Sequence, residues 1–405
     1  MADRIVIVGA GQAGASLAEA LRSHGHEGPV TLIGEEPAPP YQRPPLSKKY
    51  LLGEMSADRL WLKPERFYAE NAIDLLTGCP VTAIDRAGRQ VALADGRRLP
   101  FDRLALVTGA APRRLPAAIG GDVPGVHVLR TLADVDALAP SVVAGRHLVV
   151  IGGGYIGLEA AAVARQQGTI VTLIEAAPRI LGRVAAAETA DRLRALHEGH
   201  GVTIREGVTV VAIEAGDGAV SAVRLGGGER ITADLVLVGI GVTPRTELAE
   251  AAGLPCEAGI LVDAAGRTED PAIFAAGDVA RFPWRGRLIR LESVQNAIDQ
   301  ARACAAAMLG EDVTYDPVPW FWSDQYEVKL QIAGLGAGHD RIVMREGARP
   351  GTASTWYFDG PRLLAVDGIG DARAYMTGKR WLEAGLSPDP DRLADPAADL
   401  RTLAG

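Results

Sequence analysis

Two stretches could each cradle a phosphate: "RIVIVGAGQAGASLAEALRSHG" from Arg4 and "HLVVIGGGYIGLEAAAVARQQG" from His147. In both, an apolar, β-branched run breaks into glycines spaced G-x-G-x-x-G and continues as a helix. Gly9, Gly11 and Gly14 form the first set; Gly152, Gly154 and Gly157 form the second. The first glycine of such a set allows a tight turn, the second lets a pyrophosphate approach the helix N-terminus, and the third lets helix and strand touch. An acid closes the next strand each time, Glu35 in "PVTLIGEE" and Glu175 in "TLIEAAPR". A carboxylate there accepts hydrogen bonds from ribose hydroxyls. A single copy would also suit an ordinary glycine-rich turn in an α/β sheet. Two complete copies in one chain point to two dinucleotides and to hydride transfer between them.

The acids refine the chemistry. A carboxylate where a 2′-phosphate would sit repels NADPH, so Glu175 favours NADH if the second copy holds the nicotinamide nucleotide. Arg179 and Arg183 follow closely and keep NADPH open, although both read equally well as a solvated face. No rival catalytic set appears: there is no G-x-S-x-G elbow and no P-loop. His197 and His200 in "HEGH" are spaced i, i+3 rather than i, i+4, so they fail the zinc pattern and mark a helix end before Gly201. No metal site is expected.

The elements that must position these residues alternate strand and helix, which implies parallel sheets with right-handed crossovers. The first block runs to a Pro-rich loop, "PAPPYQRPPLSKKYL", and short β-like runs with a turn at Asp95-Gly96 follow. The dinucleotide pattern restarts at His147 and closes at "DLVLVGIGVTPR", after which the chain returns to strand-like "IFAAGDVARF". The fold expected is therefore α/β with two Rossmann-like domains, the second inserted in the first. Residues 1–108 and 240–310 form the first domain and 109–239 the second. From about Glu311 the composition changes, with four of the six tryptophans at 320, 322, 356 and 381. Residues 311–405 read as a smaller α+β domain with a hairpin at Asp359-Gly360 and a final helix around "RAYMTGKRWLEAG".

At 405 residues the chain is long enough for about three domains, and with 48% hydrophobic and 23% charged residues it reads as globular. A net charge of −8 argues against nucleic acid, which needs a basic face. No run of about 18 apolar residues suggests a membrane span. The N-terminus enters a strand too soon for a secretory signal, so a cytoplasmic protein is expected. The three cysteines, Cys79, Cys256 and Cys304, follow no CxxC spacing and read as buried small hydrophobes.

"PYQRPPLSKKYL", "LALVTGAAPRRLP", "LESVQNAIDQAR", "IFAAGDVA" and "PWFWSDQY", in their order around the two fingerprints, resemble the FAD-dependent pyridine nucleotide reductases. They are similar in particular to the ferredoxin reductases that serve bacterial oxygenases, and the likeness runs from about Ile5 to Trp381. The resemblance implies a glutathione reductase-like architecture, with FAD on the first fingerprint and NADH on the second. It assigns Gly9, Gly11, Ala13, Gly14, Glu35, Arg43, Lys48, Val81, Arg130, Asp278 and Val294 to FAD. The NADH set is Gly152, Gly154, Tyr155, Ile156, Gly157, Glu175, Arg183 and Gly241. Lys48, Glu159 and Trp320 are the candidate catalytic residues. Lys48 and Arg43 lie in a loop that could fold over the flavin, and a cation there would stabilise the reduced ring. Glu159 matches an acid near the nicotinamide, but alone it reads equally as a first-turn acid on the helix dipole. Trp320 resembles an aromatic beside the flavin; alone it reads as core.

Disulfide-handling relatives carry cysteines beside the flavin, whereas "PYQRPPLSKKYLLGE" contains none, so no thiolate is available for a relay. Electrons must then leave the flavin directly, and a flavin can release a pair one at a time, which suits a small acidic [2Fe-2S] ferredoxin feeding a monooxygenase or ring-hydroxylating dioxygenase. Lys49, Arg66 and Arg302 are the candidate partner surface, and a monomer or weak dimer is expected. Rubredoxin reductase or another NADH-dependent flavin reductase is the alternative enzyme. A redox-sensing flavoprotein like apoptosis-inducing factor is the alternative of another class.

Overall fold

The computed structural model describes residues 2–403. The chain forms two compact units. One comprises the segment ending at Gln42, Ser56–Ala111 and Val242–Pro317; the other comprises Arg43–Met55, Pro112–Gly241 and the chain from Val318 onward.

In the first unit the strand Ile5–Val8 is central in a five-stranded parallel sheet. Val30–Ile33 and then Ile73–Leu76 lie on one side, Arg103–Leu106 and then Ile273–Ala275 on the other. All four residues of Ile5–Val8 are buried. This is why the strand reads as unbroken Ile and Val rather than an alternation. The helices Gln12–Ser23 and Val294–Met308 share its core, where Leu17 and Leu21 are buried with Ala301, Cys304 and Ala305. The β-like runs after Ile73 form an antiparallel ribbon of Val81–Asp85, Gln90–Leu93 and Arg98–Pro100, turning at Gly96 with φ +89°.

The second unit holds another five-stranded parallel sheet, centred on His147–Ile151 with Ile170–Glu175 and Leu235–Val238 as its neighbours. It also holds the C-terminal antiparallel sheet, ordered Trp320–Gln325, Val328–Gly334, Arg362–Ile369, Ala353–Asp359, Arg341–Glu346. The expected hairpin is present, with Asp359 paired to Arg362. The helix Ala372–Ala384 closes over this sheet, and Trp356 and Trp381 pack with ring centroids 5.4 Å apart. Truncating a fully buried tryptophan such as Trp356 costs about 3–5 kcal/mol. Thr189, on the helix Ala187–Gly199, donates to Asp367 of the C-terminal sheet at 2.9 Å.

The Pro-rich loop does not stay with the block that precedes it. Its short 3₁₀ turn, Pro44–Ser47, packs within the second unit. Arg43 donates to the Arg130 carbonyl at 2.6 Å, Tyr50 to Asp136 at 2.7 Å, and Gln167 to the Leu51 carbonyl at 3.2 Å. These long-range bonds are invisible to local pattern. Among the described residues no helix is long and apolar enough to cross a membrane, and no cluster of three or more potential metal ligands occurs.

Candidate active site

The two glycine turns fold alike. Gly9 sits at φ +117° and Gly152 at +110°, in the region that favours glycine. A Cβ on Gly9 would stand 2.3 Å from the Val107 carbonyl oxygen, and one on Gly152 2.4 Å from that of Gly239. On Gly14 it would stand 2.0 Å from the Gly9 oxygen, and on Gly157 2.2 Å from the Gly152 oxygen. The middle glycines differ, since a Cβ on Gly11 or Gly154 would meet nothing within 4 Å. First and third glycines are thus consumed by packing, and the middle one leaves an open face at the helix end. Neither helix has a side-chain cap or an acid in its first turn. Its N–H groups and positive dipole end remain available to an anion. Both cradles fit a dinucleotide pyrophosphate.

The acid beside each cradle is held differently. Glu35 is half-exposed and paired with Arg245 at 2.5 Å, a partner 210 positions away that the sequence does not announce. Glu175 accepts from the backbone N–H groups of Gly153 and Ala177, both at 2.7 Å. Its carboxylate is therefore oriented by the glycine turn itself, and its oxygens keep further lone pairs for ribose hydroxyls. Arg179 is half-buried rather than solvated, and it donates to the Ala185 carbonyl at 2.8 Å. Arg183 is exposed, and a Cβ on Gly241 would lie 3.5 Å from its Nη2.

Of the residues matched to FAD, the first unit holds Gly9, Gly11, Ala13, Gly14, Glu35, Val81, Asp278 and Val294; the second holds Arg43, Lys48 and Arg130. In the first unit, a Cβ on Gly277 would touch Ala13 at 3.2 Å, which brings the turn Gly277–Val279 with Asp278 against the first fingerprint. Val294 opens its helix behind Ser293, whose hydroxyl accepts from the Asn296 N–H at 3.1 Å. Val81 is half-buried at the start of the antiparallel ribbon. In the second unit, Arg130 heads a capped helix, its N–H donating to Asp134 at 3.0 Å.

Lys48 and Glu159 meet. Lys48 Nζ lies 2.7 Å from Glu159 Oε2, and it also donates to the Pro44 carbonyl at 3.3 Å. Ser47 Oγ donates to the same Oε2 at 2.5 Å, and Ser323 Oγ donates to Oε1 at 2.7 Å. Glu159 is 2% exposed and lies beyond the first turn of its helix, so the pair with Lys48 replaces the helix-dipole reading. A buried carboxylate needs such partners, since an unpaired charge there costs several kcal/mol.

Trp320 is not brought to this pair. Strand alternation puts Trp320 and Trp322 on the face opposite Ser323, where their ring centroids lie 5.7 Å apart and Trp320 packs on the C-terminal core. Tyr155 is half-buried and its ring packs against Phe321, with centroids at 4.5 Å, while its neighbour Ile156 is 44% exposed. Lys49, Arg66 and Arg302 are all exposed, Arg302 lying 4.0 Å from Asp299. The cysteines only partly match their expectation: Cys304 is buried, its thiol pushed up to about 12 by burial, but Cys79 and Cys256 are half-buried. All three lie in the first unit, whereas the Lys48–Glu159 pair lies in the second.

Comparison with known proteins places this geometry. A family model described as pyridine nucleotide-disulphide oxidoreductase matches residues 3–301. The chain belongs to this family. A second model, reductase C-terminal, matches residues 320–404, so these pyridine nucleotide-disulphide oxidoreductase and reductase C-terminal regions together span nearly the whole chain. The chain is 45% identical to rhodocoxin reductase of Rhodococcus erythropolis over 98% of its own length and 93% of that protein's. It is 43% identical to putidaredoxin reductase of Pseudomonas putida, covering 99% of this chain and 96% of the relative. Among solved structures, the covalent putidaredoxin reductase–putidaredoxin complex superposes with a TM-score of 0.95 at 44% identity, covering 99% and 98% of the two chains. The disulphide in the family's description has no counterpart here, because every cysteine is free.

Proposed function

We propose that the chain is an NADH-dependent ferredoxin reductase of the cytoplasm, holding FAD on the Gly9–Gly14 cradle and NADH on the Gly152–Gly157 cradle. The observation that carries the reading is the pair of matching glycine turns, each with an uncapped helix end and a carboxylate closing the neighbouring strand. When bound, FAD supplies the conversion of a two-electron donor to a one-electron acceptor. The balance is one NADH oxidised to NAD+, two ferredoxins each reduced by one electron, and one proton released.

The chain's residues orient and exclude. Glu175, fixed by Gly153 and Ala177, receives the NADH ribose diol and repels a 2′-phosphate. Glu159 faces the nicotinamide end of that site, its charge balanced by Lys48. Glu35 serves the FAD ribose once Arg245 yields it, and Asp278 lies beside Ala13 for the ribityl chain. The half-exposed Trp320 flanks the flavin's far side. No cysteine lies in the Arg43–Met55 loop or elsewhere in the second unit, which favours direct electron transfer to an acidic [2Fe-2S] partner over a thiol relay. Lys49, Arg66 and Arg302 form the partner surface, and Arg302→Glu raises KM for ferredoxin while NADH-to-ferricyanide activity survives.

Anaerobic rapid mixing tests the reading. NADH should bleach the flavin absorbance, ferredoxin should restore it rapidly, and oxygen should restore it slowly. A persistent charge-transfer band with no ferredoxin turnover would favour the redox-sensor reading instead.

A further inference from the structure

The strand Trp320–Gln325 turns Phe321, Ser323 and Gln325 toward one face by alternation. Against that face the helix Tyr155–Gln166 sets Tyr155 and Glu159 one turn apart, and the helix Ala187–Gly199 sets His197. Beyond the Ser323–Glu159 bond, Gln325 Nε2 donates to Ser323 Oγ at 3.1 Å, and Gln325 Oε1 lies 2.8 Å from His197 Nε2. Ser323, Gln325 and His197 are all fully buried.

The donor directions follow. An amide oxygen only accepts, so His197 carries its proton on Nε2 and leaves Nδ1 as an acceptor. The Tyr326 hydroxyl lies 3.4 Å from that Nδ1. Donors therefore point one way, from Tyr326 through His197, Gln325 and Ser323 to Glu159 Oε1. Ser47 and Lys48 serve the other oxygen. Burial pushes His197 down to about 4, so the imidazole stays neutral near pH 7. An amide does not pass protons in its ordinary form, so the chain holds groups in place rather than conducting.

We infer that His197 and Gln325 are positioning residues for Glu159: by filling the acceptor side of Ser323 they fix its hydroxyl proton on the carboxylate. This rests on the reading of Glu159 as the nicotinamide-facing acid. An acid held from both sides keeps one geometry against the bound nucleotide, and small misplacements of such groups reduce rates by about tenfold to a hundredfold.

The test uses the FAD-loaded enzyme, with NADH-dependent flavin bleaching in single turnovers, and histidine ¹⁵N NMR of the same protein. Glu159→Gln slows bleaching; if it does not, the reading of Glu159 falls, independently of the network. Given that slowing, His197→Leu slows bleaching by about tenfold or more, and His197→Gln, which restores an N–H donor, recovers most of the rate. The double variant Ser323→Ala/His197→Leu is no slower than Ser323→Ala alone, because both act through one hydroxyl. The NMR spectrum shows His197 neutral and protonated on Nε2 at pH 7. Additive effects in the double variant, no recovery in His197→Gln, or a mixed-tautomer His197 titrating near 6.5 would overturn the inference.

Discussion

Lys48 and Glu159 stand 2.7 Å apart although 111 positions separate them, and they join the Pro-rich loop to the helix of the second fingerprint. Glu159 is almost fully buried, so removing its cation leaves a charge with only hydroxyl partners. Lys48→Met is expected to lower unfolding stability by about 3–5 kcal/mol. Denaturant titration of the holoprotein measures it, and a midpoint equal to wild type would contradict the pairing.

The glycine cradles predict opposite outcomes for neighbouring substitutions. Gly157→Ala forces a Cβ to 2.2 Å from a backbone oxygen and should disrupt the fold, whereas Gly154→Ala enters open space and should fold normally. The second variant should instead raise KM for NADH, because its methyl fills the nucleotide's approach. Thermal unfolding and steady-state kinetics separate the two, and the assignment fails if both variants lose stability equally.

Glu175 is oriented by two backbone donors and set to meet a ribose diol. Glu175→Ala should narrow the preference for NADH over NADPH by roughly tenfold or more, the scale of one charge-assisted hydrogen bond. The ratio of kcat/KM for the two nucleotides reads this directly. An unchanged ratio would remove Glu175 from nucleotide selection.

Asp367 makes stability depend on pH. It is fully buried, and burial pushes it up to about 7 while hydrogen bonds from Tyr357 and Thr189 pull the other way. Unfolded, this carboxyl ionises near 3.8, so between the two values the folded chain keeps a proton that the unfolded chain has released. Its contribution therefore falls as pH rises from about 4 to about 7 and is level above. Asp367→Asn should lose this slope in Tm measured across that range; parallel curves for variant and wild type would count against it.

The glycines and closing acids were legible because their chemistry is local: a turn, a helix end and a strand end lie within one short stretch. The partners were not, because folding brings them from afar. Arg245 reaches Glu35, and Gln325 meets His197 across 128 positions. "HEGH" read locally as a helix end, and the helix does stop at Gly199, but its His197 is buried in a network. The alternation in "WFWSDQ" carried an unused signal: Ser323 and Gln325 share a face with Phe321, two polar groups on a buried face that require partners. The same alternation turns Trp320 away from Glu159.

The central claim is that electrons enter as a pair from NADH and leave singly. Anaerobic titration of enzyme plus excess oxidised [2Fe-2S] ferredoxin with limiting NADH tests it most directly. The account predicts two ferredoxins reduced for each NADH consumed, unaffected by alkylation of the half-buried Cys79 and Cys256. Ferredoxin that stays oxidised while NADH reduces the flavin, or turnover abolished by alkylation, would contradict it.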